Sequence, residues 1–162
     1  MKRYIVVILS IVIFCVVVGV GLPGGWEIIL MDFPSLLLLL LVTFPILIMS
    51  GLGKDFINAF RLFFGKQKKG SLAERKKSVE AVDLVMGALR KGGIFTVILQ
   101  TISYFAMTSS LDAEKWHADL AVLFIPLLYA YMFNLLLLPI KGRINKEIVE
   151  YMLDEDEIEI GD

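Results

Sequence analysis

Four stretches of the chain run without a single Asp, Glu, Lys or Arg: Tyr4–Trp26, Phe33–Gly53, Gly92–Leu111 and Leu120–Ile140. Each holds at least 20 residues. At about 1.5 Å of rise per helical residue, such a stretch crosses a hydrocarbon core of about 30 Å. Charged residues gather between and after these windows. The pattern predicts an all-α integral membrane protein with four transmembrane helices. It divides the chain into a first span (1–26), an outer loop with the second span (27–53), a basic connection (54–91), the third and fourth spans (92–140) and an acidic tail (141–162).

Composition agrees with the pattern. Of 162 residues, 57 % are hydrophobic and 20 % charged, and the mean hydropathy is +0.77. A soluble domain carries about 45–50 % apolar and about 25 % charged residues. Disorder and a disulfide scaffold are excluded, the latter by a single cysteine, and the chain is not expected to be an enzyme. The cations then orient the spans. Of 16 Lys and Arg residues, 15 lie before the first window, between the second and third, or after the fourth; the exception is Lys115. The positive-inside bias places both termini and the long connection in the cytoplasm. Glu27, Asp32, Asp112, Glu114 and Asp119 then fall outside.

The first window begins like a secretory signal, with Lys2 and Arg3. Its apolar run is longer than the usual stretch of about 7–15 residues, and no small-x-small site follows, so it reads as a retained span. Cys15 within it reads as packing, and His117 as a solvated or interfacial side chain. In the basic connection, Phe56, Ile57, Phe60, Phe63 and Phe64 recur at helical spacing, and Gly65 and Gly70 end that helix. Ser71-Leu72-Ala73-Glu74 has the form of a capping box, which starts a second helix with Leu72, Val79, Val82, Val85, Met86 and Leu89 on one stripe. The connection is thus expected to be a cytoplasmic helical hairpin. No phosphate-cradling glycine loop, metal-ligand spacing or nucleophile–base pair is present in the sequence, and no cofactor is expected.

No window contains an ionisable carboxylate or amine, so any ion handling requires a titrating group from a partner. The third window instead carries a polar stripe. Thr96, Gln100 and Ser103 fall within about 60° of arc, with Tyr104 and Thr108 on the flank. The fourth adds Tyr129, Tyr131 and Asn134, with Pro126 expected in mid-helix. Two readings stay open: glue between membrane helices, or one wall of a hydrated ion path.

Several motifs carry a family resemblance. Leu30-Met31-Asp32-Phe33-Pro34-Ser35-Leu36-Leu37 resembles the F-I-D-x-P-S-L-L entry to the second span of the flagellar stator A subunit, and Gly53–Phe60 resembles that span's cytoplasmic exit. Gly92-Gly93-Ile94-Phe95-Thr96-Val97 is similar to the G-L-L-G-T-V of the MotA/TolQ/ExbB proton channel family. Ala130–Ile140 is similar to the close of that family's last span. Phe95, Leu99 and Tyr129 stand where the family has glycines, Pro126 stands where it has a threonine, and the cytoplasmic loop is shorter.

The resemblance implies an A-type subunit of an ion-motive-force-driven stator in a bacterial inner membrane. Five copies would surround two copies of a single-span MotB/ExbD/TolR-like partner bearing a membrane Asp. Thr96 would sit beside that carboxylate, Gln100, Ser103 and Tyr104 would line the ion path, and Pro126, Tyr129 and Asn134 would shape it. Glu80 and Arg90 are the candidates for touching the driven load. The span-four position that lacks its hydroxyl favours H+ over Na+. The competing expectation is a non-conducting four-helix scaffold or assembly factor. The orientation is directly testable: a cysteine at Ser71 should react with an impermeant thiol reagent only after the cytoplasmic face is opened, and labelling of intact cells would overturn the topology.

Overall fold

A computed structural model of the chain describes residues 33–65, 71–107 and 122–160, with Ile13, Val16 and Leu120, and side chains as far as Leu153. The first window apart from those two residues, both outer connections, Thr108, Cys15, His117, Lys66, Lys68 and Lys69 lie outside the described residues. Among the described residues the elements are helices, without a strand, in the order α1 (Phe33–Met49), α2 (Gly53–Phe63), α3 (Leu72–Met107) and α4 (Ile125–Ile160).

α1 is a leucine run whose buried positions, Ser35, Leu39, Thr43 and Leu47, recur every fourth residue and form one inward stripe. It ends through local chemistry. The Ser50 hydroxyl bonds to the Leu47 carbonyl at 2.8 Å, and Gly51 takes φ +74° while its N–H reaches the Ile48 carbonyl. A left-handed residue just past a helix terminus suits glycine, which has no Cβ to clash. The chain leaves this turn bent by 103°, so α2 runs across the foot of α1. Ala59, Leu62 and Phe63 of α2 are buried, while Lys54, Ile57 and Arg61 are exposed.

Ser71 and Glu74 start α3 reciprocally. The Glu74 N–H donates to the Ser71 hydroxyl oxygen at 3.3 Å, and the Ser71 N–H donates to the Glu74 carboxylate at 3.2 Å. Two orphan donors of the first turn are satisfied in this way. From there the helix is unbroken for 36 residues, roughly 54 Å at about 1.5 Å per residue. The foot of α3 therefore belongs to the basic connection and its upper half to the third apolar window.

α4, also 36 residues long, runs antiparallel to α3. Its second residue is Pro126, which lies in the first turn, just after a turn at Phe124, and not in mid-helix as the sequence suggested. Proline is tolerated there because the first-turn N–H groups have no intrahelical partner. The proline inside the helix is Pro139.

The two long helices change character along their length. In the upper half, Ile94, Phe95, Ile98, Ile102 and Phe105 of α3 are each more than half exposed, as are Leu135 and Leu138 of α4. The foot is polar outside and ion-paired. Glu147 bridges Arg75 and Arg143, the latter at 3.1 Å, and Lys141 meets Asp83 at 2.7 Å. The Arg75 guanidinium also sits 5.8 Å from the centre of the Tyr151 ring. Among the described segments, Ile125–Leu153 is long and apolar enough to cross a membrane, and α1 with α2 passes the same test if the bent pair counts as one span.

The Arg75 side chain is 10 % exposed and that of Glu147 22 %. Removing one partner of such a pair strands a poorly hydrated charge. Glu147→Ala should therefore destabilise the foot by about 2 kcal/mol. Lys146→Ala, which breaks the exposed pair with Glu150, should stay within about 0.5 kcal/mol. Denaturant unfolding in detergent, read with hydrogen exchange of the α3 foot, measures both; equal effects would show that burial does not govern the Arg75 pair.

Candidate polar site between the apolar helices

Gly92 and Gly93 bring three helices together at one level of α3. A Cβ at Gly93 would lie 2.7 Å from the Ala130 Cβ and 3.4 Å from the Pro126 carbonyl oxygen. A Cβ at Gly92 would lie 3.2 Å from Leu39 and 3.5 Å from Val42 of α1. The two glycines are successive residues, so they point about 100° apart and serve different neighbours. One admits α4 and the other α1.

Above them the α3 side chains sort by facing. Thr96 is fully buried, and its hydroxyl donates to the Gly92 carbonyl at 2.8 Å. Gln100 donates through Nε2 to the Ser35 hydroxyl of α1. Its Oε1 is buried and has no hydrogen-bond partner. Tyr104 is half-buried and meets the Phe105 ring edge-on at 5.6 Å. Ser103 is exposed, although its helical angle lies within the same arc. The structure thus brings Thr96 and Gln100 into the helix interface and leaves Ser103 at its edge.

On α4, Pro126 and Tyr129 are buried, and Tyr131 is 53 % exposed. Asn134 is buried, with Nδ2 donating to the Ala130 carbonyl at 2.7 Å and Oδ1 lacking a partner. Glu80 and Arg90 are both exposed on α3 but stand ten residues apart, roughly 15 Å along the axis, and do not form one site. Arg90 reaches back to the Met86 carbonyl at 3.4 Å.

Three participants escaped the sequence reading. Ser35, the partner of Gln100, was noted only as part of a motif; a hydroxyl in a leucine run was the available signal. Thr43 lies in the same run and bonds to the Leu39 carbonyl at 2.8 Å. Ser78, on the α3 foot, is fully buried with an unpartnered hydroxyl. One habit unites most of the group. Thr43, Thr96, Thr101 and Asn134 each donate to the carbonyl four residues back, at 2.7–2.8 Å. Back-bonding satisfies the donor without water, as a dry apolar setting requires.

Among the described residues, no group of three or more His, Cys, Asp or Glu side chains could hold a metal ion. Compared with known proteins, the chain matches no family model, no curated protein and no solved structure.

The Gly93 contact has a measurable consequence. Gly93→Ala drives a methyl into Ala130 and should cost about 1–3 kcal/mol by overpacking, against roughly 1 kcal/mol regained in helix propensity. Ala130→Gly in the same chain should restore the fit. Gly142→Ala, where nothing lies within 4 Å, should be neutral or stabilising. Thermal unfolding in detergent reads all of them, and no rescue by Ala130→Gly would show that the contact does not limit helix approach.

Proposed function

We propose that the chain is a four-span A-type subunit of an ion-motive-force-driven membrane complex, assembled as a ring around a single-span partner that supplies a membrane carboxylate. The supporting observation is a seam of uncharged polar side chains enclosed by apolar helices. In it, the Gln100 and Asn134 side-chain oxygens are buried without a hydrogen-bond partner. A buried acceptor calls for a donor, and among the described residues no side chain supplies one to either oxygen. Acceptors of this kind can take a proton donor such as water or hydronium. No window of the sequence carries a carboxylate or amine, so the exchanging group in this reading belongs to the partner. The motif resemblance in the second, third and fourth windows supports the same assignment, with H+ as the transported ion and the bacterial inner membrane as the location.

One observation favours the scaffold reading. Thr96 is wholly enclosed within a single chain and its hydroxyl is engaged by Gly92. A partner carboxylate can meet it only if α3 separates from α1 or α4 in the ring.

The test joins stability, assembly and flux. Gln100→Leu removes the unpaired oxygen together with the Ser35 hydrogen bond, and a membrane hydrogen bond contributes on average about 0.6 kcal/mol. The variant should therefore keep its stability within about 1 kcal/mol. Proton flux into vesicles, with the partner co-expressed, should fall to background in Gln100→Leu and in Thr96→Val, while native mass spectrometry still finds five copies. Undiminished flux in both variants would reduce the seam to glue. A stable monomer or dimer of the wild-type complex would sink the ring.

A further inference from the structure

Where α1 bends into α2, the helices do not close on one another. A cleft of about 320 Å³ remains between α1 and α4, backed by Val85 and Leu89 of α3 and floored by Phe56, Phe60, Phe63 and Phe64 of α2. Thr43 is the one polar side chain in its lining, and that hydroxyl is spent on the Leu39 carbonyl. No lining side chain therefore offers a free hydrogen-bond donor to a polar ligand, and the Thr43 hydroxyl oxygen is the one side-chain acceptor in the lining. An apolar space of this kind is not stabilised by water, which needs two or more polar partners. Its lining suits a hydrocarbon occupant.

The source of that hydrocarbon follows from the cleft's place in the fold. Its inner wall is buried, at Thr43, Leu47, Leu137 and Ile140, whereas Phe44 on its rim is 52 % exposed. Around that rim the exposed apolar side chains continue through Leu41 and Ile48 of α1 and Leu135 and Leu138 of α4. The mouth thus opens onto the same surface that would face acyl chains, not onto a polar surface. The floor is equally telling. α2 lies at 103° to α1, with its phenylalanines toward the cleft and Lys54 and Arg61 exposed. A helix crossing the foot of a span, with aromatic rings on one side and cations on the other, sits at the headgroup boundary.

We propose that the cleft is a binding site for one acyl chain of an anionic phospholipid of the cytoplasmic leaflet. The chain lies over the α2 phenylalanines, and its headgroup meets Lys54 and Arg61. This rests on the membrane placement proposed above and is independent of any ion path.

Brominated lipids, which quench nearby tryptophan, test the site in the full chain. Trp26 and Trp116 are first replaced by Phe, and a single reporter is introduced as Phe60→Trp in the cleft floor or as Leu41→Trp on the open face of α1. In vesicles, Phe60→Trp should be quenched by chain-brominated phosphatidylglycerol at a mole fraction roughly tenfold below that needed with phosphatidylcholine, the size of preference that one or two interfacial cations supply. Leu41→Trp should respond to the two lipids alike. Lys54→Glu with Arg61→Glu should erase the preference at Phe60→Trp and leave Leu41→Trp unchanged. If Phe60→Trp escapes quenching while Leu41→Trp is quenched, protein fills the cleft and the proposal fails with the membrane placement intact. If neither reporter is quenched, the membrane placement itself is overturned. Equal quenching of Phe60→Trp by both lipids would overturn the anionic headgroup.

Discussion

At the crossing of α3 and α4, the bare backbone of Gly93 lets the helices approach until a Cβ there would meet that of Ala130 at 2.7 Å. This contact fixes how far one antiparallel helix is slid along the other, and the rest of the described chain inherits that register. Arg75 lies eighteen residues below Gly93, and Glu147 seventeen below Ala130. At about 1.5 Å per residue, both lie roughly 26 Å from the contact, so the ion pair closes without adjustment. Asp83 and Lys141, ten and eleven residues away, are matched in the same way. A slide of one turn, about 5.4 Å, would break every one of these pairs. The apolar contact and the ion pairs therefore hold one geometry from opposite ends.

Polar side chains in the upper half obey a different constraint. Thr43, Thr96, Thr101 and Asn134 there bond to their own helix four residues back. This keeps them from opposing helix association, and it also removes them from easy reach of a ligand. The Gln100 and Asn134 oxygens depart from the pattern because each amide has more hydrogen-bonding capacity than one neighbouring group can satisfy.

The bend at Ser50 and Gly51 is the third determinant. Had α1 continued straight, its foot would have lain along α3, and α2 would have had no reason to cross. The left-handed glycine turns the chain, and Phe63 of α2 then buries, with Phe56, Phe60 and Phe64 partly buried around a cleft that neither helix fills. One short turn thus creates a crossing helix and, beside it, an apolar cleft.

By itself the sequence determined the helical character of the described residues, the sharp start of α3 at its capping box and the lack of a carboxylate or amine in the apolar windows. These are local properties: charge-free length, short-range hydrogen bonding and composition are complete within a few turns of backbone. Helical periodicity also put Thr96, Gln100 and Ser103 on one arc. Which neighbour covers that arc, and how far along it, only the tertiary structure decided: α1 closes over Gln100 through Ser35, α4 and α1 meet at the two glycines, and Ser103 stays exposed. Likewise, Pro126 in the apolar run looked like a mid-helix break, and the turn at Phe124 made it the second residue of α4. The pairing of Arg75 with Glu147, 72 positions apart, was equally out of reach. Such contacts depend on the relative slide and rotation of separate helices, which are set by where backbones can touch and not by the period of either helix alone.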